Sequence, residues 1–154
     1  MRLIFRLLRW LVAGLAIAFI AFAIFVRTAG DDPAEWHLDP ETARETGAQN
    51  DFIVAPSGEG VDMASPVFPM APDALAARFA EVALAAPNTT LLSENGGYAT
   101  FVQRTAVIAY PDYISVKAVA VEGGSALFIY SRSRFGQSDF GVNETRISAW
   151  LNEL

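Results

Sequence analysis

The chain of 154 residues contains no cysteine. That excludes disulfide frameworks, thiolate zinc sites, iron–sulfur clusters, lipoprotein acylation and cysteine nucleophiles together. One histidine, His37, is present, which removes most histidine-based metal and catalytic arrangements. Cations are also scarce: eleven Lys+Arg stand against seventeen Asp+Glu, a net charge of -6. That sign is wrong for a general nucleic-acid binder. Internal repeats and heptads are missing, and the length admits one domain of ordinary size.

Apolar residues are in excess, at 53%, and a run at the N-terminus accounts for it. Residues 10–26 carry no charge and no strongly polar group. As a helix they span roughly 26 Å, and Leu7 and Leu8 extend this towards the ~30 Å of a bilayer's hydrocarbon core. Arg2, Arg6 and Arg9 precede the run. Only Arg27 follows it before Asp31, Asp32, Glu35 and Asp39. The positive-inside rule then places Met1 in the cytoplasm and the remainder outside. A cleaved signal peptide is the competing reading. Ala21-Phe22-Ala23 fits its small-x-small site formally, and Thr28-Ala29-Gly30 is better placed.

These observations predict a cytoplasmic tip (1–9), a transmembrane signal-anchor (10–27), a linker or arm (28–65) and a folded domain (66–154). Localisation follows as the inner (plasma) membrane with an extracytoplasmic, periplasmic domain. Beyond residue 27 there are seven bases and seventeen acids. A part so acidic is repelled by anionic headgroups and is expected to stand off the bilayer on its tether. Two apolar islands in the arm, Trp36-His37-Leu38 and Phe52-Ile53-Val54, are expected to dock on the domain as extended pieces. The alternative is a partner-binding epitope.

The domain is expected to be α+β. Pro72 and Asp73 open a helix over 72–86, with Leu75, Phe79 and Val82 on one stripe and Pro87 ending it. Strand-like runs follow at 89–94, 98–110, 113–122 and 125–134. They are separated by Asn95-Gly96-Gly97, Pro111-Asp112 and Gly123-Gly124. Such short connections predict a four-stranded antiparallel meander. A closing helix over 143–154 presents Ile147, Trp150, Leu151 and Leu154 on one side, and helices pack on one sheet face. Alternation puts Ile114, Val116, Ala118 and Ala120 on one face and Tyr113, Ser115 and Lys117 on the other. Tyr98, Tyr110, Tyr113 and Tyr130 read as cross-strand packing partners before they read as a ligand platform.

The segment from Ser131 to Asn143 concentrates the chemistry: Ser131, Arg132, Ser133, Arg134, Gly136, Ser138, Asp139, Gly141 and Asn143. Arg132 and Arg134 project from one strand face, and Asp139 is placed to fold back onto one of them. Asn143 suits the N-cap of the last helix, with Glu144 in its first turn. Two readings stay open. In one, the loop is an internal clamp of Arg–Asp pairing, hydroxyls and cap. In the other, two guanidiniums and a helix N-terminus form a corner for a small anion or an envelope protein partner. Catalysis by a serine with Asp139 ranks below both, and a small apolar ligand (lipid) carrier is the alternative function. No cofactor, metal or nucleic acid is expected. A Ser–His–Asp triad would need His37, which sits in the arm without a Gly-x-Ser-x-Gly elbow. The acids lack calcium-loop spacing. Ser57-Gly58-Glu59-Gly60 is no phosphate loop, and Asn88-Thr89-Thr90 matches a glycosylation sequon only formally.

The run Ser131 to Asn143, of pattern S-R-S-R-x-G-x-S-D-x-G-x-N, resembles the family called domain of unknown function 1499. Pro111-Asp112-Tyr113-Ile114-Ser115-Val116, Trp36-His37-Leu38-Asp39-Pro40 and Gln103-Arg104 extend the likeness over most of the chain after residue 27. The resemblance implies a bacterial envelope or plastid protein, often behind one membrane span, and implies no particular activity. Family members often carry basic residues after the Asn, where this chain has Glu144 and Thr145. That departure weakens the anion-site reading.

Overall fold

The computed structural model describes residues 1–43, 50–58 and 60–154. Helix α1 (Arg2–Thr28) is followed by the short α2 (Pro33–Trp36), then β1 (Asp51–Ala55) and β2 (Met63–Ala64). Next come α3 (Pro72–Ala85), β3 (Thr89–Asn95), β4 (Tyr98–Arg104), β5 (Pro111–Val121), β6 (Gly124–Ser133) and α4 (Val142–Leu151). Helix α1 is long and apolar enough to cross a membrane, with a mean hydropathy of 2.3 in its most apolar stretch and none of that stretch buried.

The domain is α+β, but its sheet has six strands in the order β2-β1-β6-β5-β4-β3, not four. It is also mixed, because β1 and β2 run parallel while β1 pairs antiparallel with β6. Local patterning shows only the β3–β6 meander. Strand β1 adds to the far side of β6, more than seventy residues later in the chain, and only the fold brings that edge to it. Its residues are the Phe52-Ile53-Val54 island, with Phe52 opposite Ser131 and Val54 opposite Ile129. Of the Ser57-Gly58-Glu59-Gly60 segment, Glu59 lies outside the described residues.

Two turns differ from the expected positions. Strand β4 ends at Arg104, and 105–110 form a loop closed by Thr105, whose amide donates to Tyr110 O and whose Oγ1 accepts from Tyr110 N. Ala109 takes a positive φ of 67° there, which ends the extended run. Pro111 and Asp112 are therefore the first residues of β5, a strand position where the missing amide of proline costs no ladder bond. The last hairpin turns at Glu122-Gly123. Gly124, the first residue of β6, already pairs with Val121 of β5, and an added Cβ there would lie 2.0 Å from Phe68 O. Phe68 bridges to Ser125 beside it, so glycine is needed for a close backbone approach.

The sheet's two faces differ sharply. On one, Phe52, Val54, Phe101, Ile114, Val116, Leu127 and Ile129 meet Leu75, Phe79 and Val82 of α3 and Ile147, Trp150 and Leu151 of α4 in a single buried cluster. Rings interlock at its centre, Phe79 lying 6.1 Å from Phe101 and 5.7 Å from Trp150. The other face carries Thr100, Tyr113, Ser115, Lys117, Tyr130 and Arg132, and residues 29–41 lie across it. The last turns of α1 pack directly on the domain. Phe22 meets Tyr110 and Phe25 meets Phe135, at centroid distances of 6.2 and 6.3 Å. Val26 is fully buried and Arg27 donates to Val107 O. These contacts dock the end of the helix onto the loops 105–110 and 134–140.

Candidate functional site

Side chains alternate along β6, so the Ser131–Arg134 run is split between the two faces. Ser131 and Ser133 enter the helix side, while Arg132 and Arg134 enter the arm side. The structure thus builds two polar systems from one motif.

On the helix side, Asn143 lies fully buried at the centre. Its Oδ1 accepts from Ser131 Oγ at 2.6 Å and from Arg146 Nη1 at 2.7 Å. Its Nδ2 faces Asn50 O, Ser133 Oγ and Asp139 Oδ2 at 3.1, 3.2 and 2.8 Å. Arg146 also donates through Nε to Gln103 Oε1 and through Nη2 to Asp112, with both members of that ion pair buried. Asn50 closes the circuit by donating to Ser133 O and Gly136 O. Buried polar groups are stable only when satisfied, and this network satisfies them while fixing α4 and the loop against the sheet.

Two expectations about the loop are corrected here. Asn143 is not the N-cap of α4, a place held by Gly141 with φ 77°, a left-handed conformation suited to glycine. Asp139 does not pair with Arg132 or Arg134. Its Oδ1 accepts from Gly141 N at 3.1 Å, and its Oδ2 from Asn143 N at 2.8 Å. Asp139 therefore supplies the acceptors that Asn143 was expected to provide. Burial pushes the Asp139 carboxyl upward, but the amides of Asn143 and Gly141 outweigh it and hold the group below its ordinary range. Ser138 Oγ accepts from Phe140 N, and Phe140 is pushed outward, 95% exposed. Glu144 lies in the first turn of α4 as expected.

On the arm side, Arg132 is 4% exposed. It donates to Ser115 Oγ and Tyr130 O at 3.2 Å each, and to Trp36 O. None of these acceptors is a carboxylate, and its Nε has no hydrogen-bond partner. Its guanidinium lies 4.7 Å from the Tyr130 ring centre and 5.9 Å from those of Trp36 and Tyr113, within cation–π range. Burial lowers its pKa to about 10, against the weaker pull of neighbours that include Asp51 across the β1–β6 ladder. Arg134 donates to Gly30 O at 2.8 Å and to the Tyr113 hydroxyl at 3.3 Å.

The arm lies on this face through complementary chemistry. Trp36 stacks on Tyr113 at 4.1 Å and His37 on Tyr98 at 4.2 Å. Asp31 pairs with Arg104 at 2.8 Å and accepts from Tyr113 Oη at 2.7 Å. Asp39 and Glu41 both reach Lys117, at 3.0 and 2.8 Å, and their hydrogen bonds raise the Lys117 pKa. Burial, and then the Asp31 hydrogen bond, push Tyr113 up to about 12.

Sequence reasoning passes over Asp112, Gln103 and Arg146 as site residues, and it places Asp31, Asp39 and Glu41 in a linker or loosely packed arm without assigning them partners. One signal was available: Asn143, Arg146, Ile147 and Trp150 share one helical stripe, and a cation on an apolar stripe demands a buried partner. The structure also joins His37 Nδ1 to Thr100 Oγ1 at 2.9 Å and Thr100 Oγ1 to Ser115 Oγ at 2.9 Å. Both hydroxyls are fully buried, so this chain of groups offers no nucleophile to a substrate. Among the described residues, no cluster of three or more His, Asp or Glu is arranged to hold a metal ion.

The fold and site define a class: a small α+β domain behind an apolar helix, with one sheet face sealed by helices and the other by its own acidic arm. The sequence profile of the family described as Protein of unknown function (DUF1499) matches residues 39–154. The chain belongs to that family. No curated protein and no solved structure matches it.

Proposed function

We propose that this is a single-span envelope protein with an extracytoplasmic interaction domain that recognises an acidic, extended segment of a partner protein. The anchor is α1, whose flanking arginines favour a cytoplasmic Met1. The recognition surface is the arm-side sheet face, with Arg104, Lys117, Arg132 and Arg134 among Tyr113, Ser115 and Thr100. One observation carries the reading: Arg132 is a buried cation whose hydrogen bonds go only to neutral oxygens, two of them lent by its own strand and by the arm. A desolvated guanidinium is stabilised far more by a carboxylate than by carbonyls. In this state the arm, with Asp31, Asp39 and Glu41, stands where an acidic partner segment binds. An enclosed lipid carrier is less well supported, because a buried cluster joins α3 and α4 to the sheet and the cavities of about 550 and 510 Å³ beside those helices are open clefts.

The test replaces the arm's acids, Asp31→Asn, Asp39→Asn and Glu41→Gln together, in the full chain in detergent. Trp36 reports directly, since its ring stacks on Tyr113. A glutamate-rich peptide is titrated against both proteins. The triple variant should bind at least about tenfold tighter, a gain of about 1.4 kcal/mol, with a change in Trp36 emission and strong salt dependence. If neither protein binds the peptide, the arm is a structural staple and the proposal fails.

A further inference from the structure

Beyond the interaction face, a groove lies where α1 meets the domain. Phe22 of α1, Tyr110, Phe135, Phe140 and Val142 line it beside Asp112 and Asp139, whose carboxylates are already engaged by Arg146 and by the amides of Gly141 and Asn143, and its volume is about 480 Å³. That size falls within the ~300–1,000 Å³ of small-molecule sites. We infer that this groove receives an acyl chain of a phospholipid from the leaflet in which α1 ends.

Depth is the first argument. Phe22 precedes Val26, the end of the apolar run, by four residues, about 6 Å along a helix. One wall of the groove therefore lies at the level of acyl chains, and Tyr110 packs on that wall. Exposed apolar surface is the second. Phe140 is 95% exposed and Val107 75%, and the Val107 carbonyl accepts from Arg27 in the last turn of α1. Large apolar side chains beside a spanning helix lose their contact with water when the bilayer surface covers them. Charge is the third. Arg27 and Arg134 both sit at the helix exit, the latter bonded to Gly30 O and 5.5 Å from the Phe135 ring centre. A phosphate at that level meets two cations, although the domain as a whole is acidic.

The inference rests on α1 crossing a bilayer, and the experiment separates the two claims. Flotation of the full chain with phosphatidylcholine vesicles reads anchoring. Native mass spectrometry of the full chain, extracted in mild detergent, reads lipid retention. One phospholipid per chain is expected. Val142→Trp fills the groove and should reduce its occupancy about fivefold, roughly 1 kcal/mol. Val67→Trp, at a distant exposed site, should leave it unchanged. Phe140→Trp, at a position too exposed to disturb folding, should be quenched by vesicles of acyl-brominated phosphatidylcholine above the background of the parent chain. A chain that floats but retains no lipid, or retains it equally with Val142→Trp, or shows no added quenching at residue 140, overturns the groove and leaves the anchor standing. A chain that does not float overturns both.

Discussion

Replacing Asp139 by asparagine tests the logic of the loop. The carboxylate takes two backbone amides and the Asn143 side chain within 3.1 Å. It thereby fixes the start of α4 and orients the residue on which Ser131, Arg146 and Asn50 converge. Asparagine keeps one acceptor but turns an amide donor towards the donors of Asn143, so at least one bond is lost and a repulsive contact appears. Loss of a helix-capping acceptor costs about 1 kcal/mol, with a ceiling near 2. For a domain of this size that lowers Tm by about 3–8 °C. Because the folded-state pKa lies below the ordinary value of 3.8, the carboxylate's contribution is fully present above that value and lost as pH falls through the folded pKa. Thermal unfolding of the full chain in detergent, followed by circular dichroism, should therefore show a deficit for Asp139→Asn at pH 7 that shrinks below about pH 4. A variant as stable as wild type at pH 7, or a deficit undiminished in acid, refutes the role assigned to Asp139.

Two further outcomes follow from the same networks. Arg146→Met leaves Asp112 buried without its counter-charge, and should cost about 3–5 kcal/mol, visible as a much lower urea midpoint. An effect under 1 kcal/mol would mean that the pair is not structurally needed. On the arm side, Tyr113 is raised to about 12. The stability it lends is therefore complete below its unfolded value near 10 and is lost as pH rises through about 12. Trp36 emission should report arm release in that alkaline range, and in Tyr113→Phe the arm should be looser already at neutral pH. Identical alkaline profiles for the two proteins would show that the hydroxyl does not hold the arm.

How far the sequence could be read varies element by element, for identifiable reasons. Helix α3 was fully legible, because proline, an acidic first turn and a four-then-three apolar spacing are local signals. The β3–β6 strands were legible from alternation, yet Pro111-Asp112 looked like a turn, since proline and aspartate favour turns wherever no partner strand is visible. Of the motif, alternation gives the facing of Ser131, Arg132, Ser133 and Arg134 but not their partners. Asp139 lies near Arg132 and Arg134 in sequence, and that proximity suggests pairing with them. In the fold, the nearest unsatisfied donors are the amides of α4.

By itself the sequence determined the apolar N-terminal helix, the α+β composition, the strand faces and the family, because each depends on periodicity or on residues close along the chain. Tertiary structure alone decided that Phe52–Val54 joins the edge of β6, that Arg146 meets Asp112 and Asn143 meets Asn50, and that Asp31, Asp39 and Glu41 of the arm pair with Arg104 and Lys117. Those contacts join residues more than thirty positions apart, where pairing is chosen by which buried charges and strand edges remain unsatisfied once the chain has closed on itself.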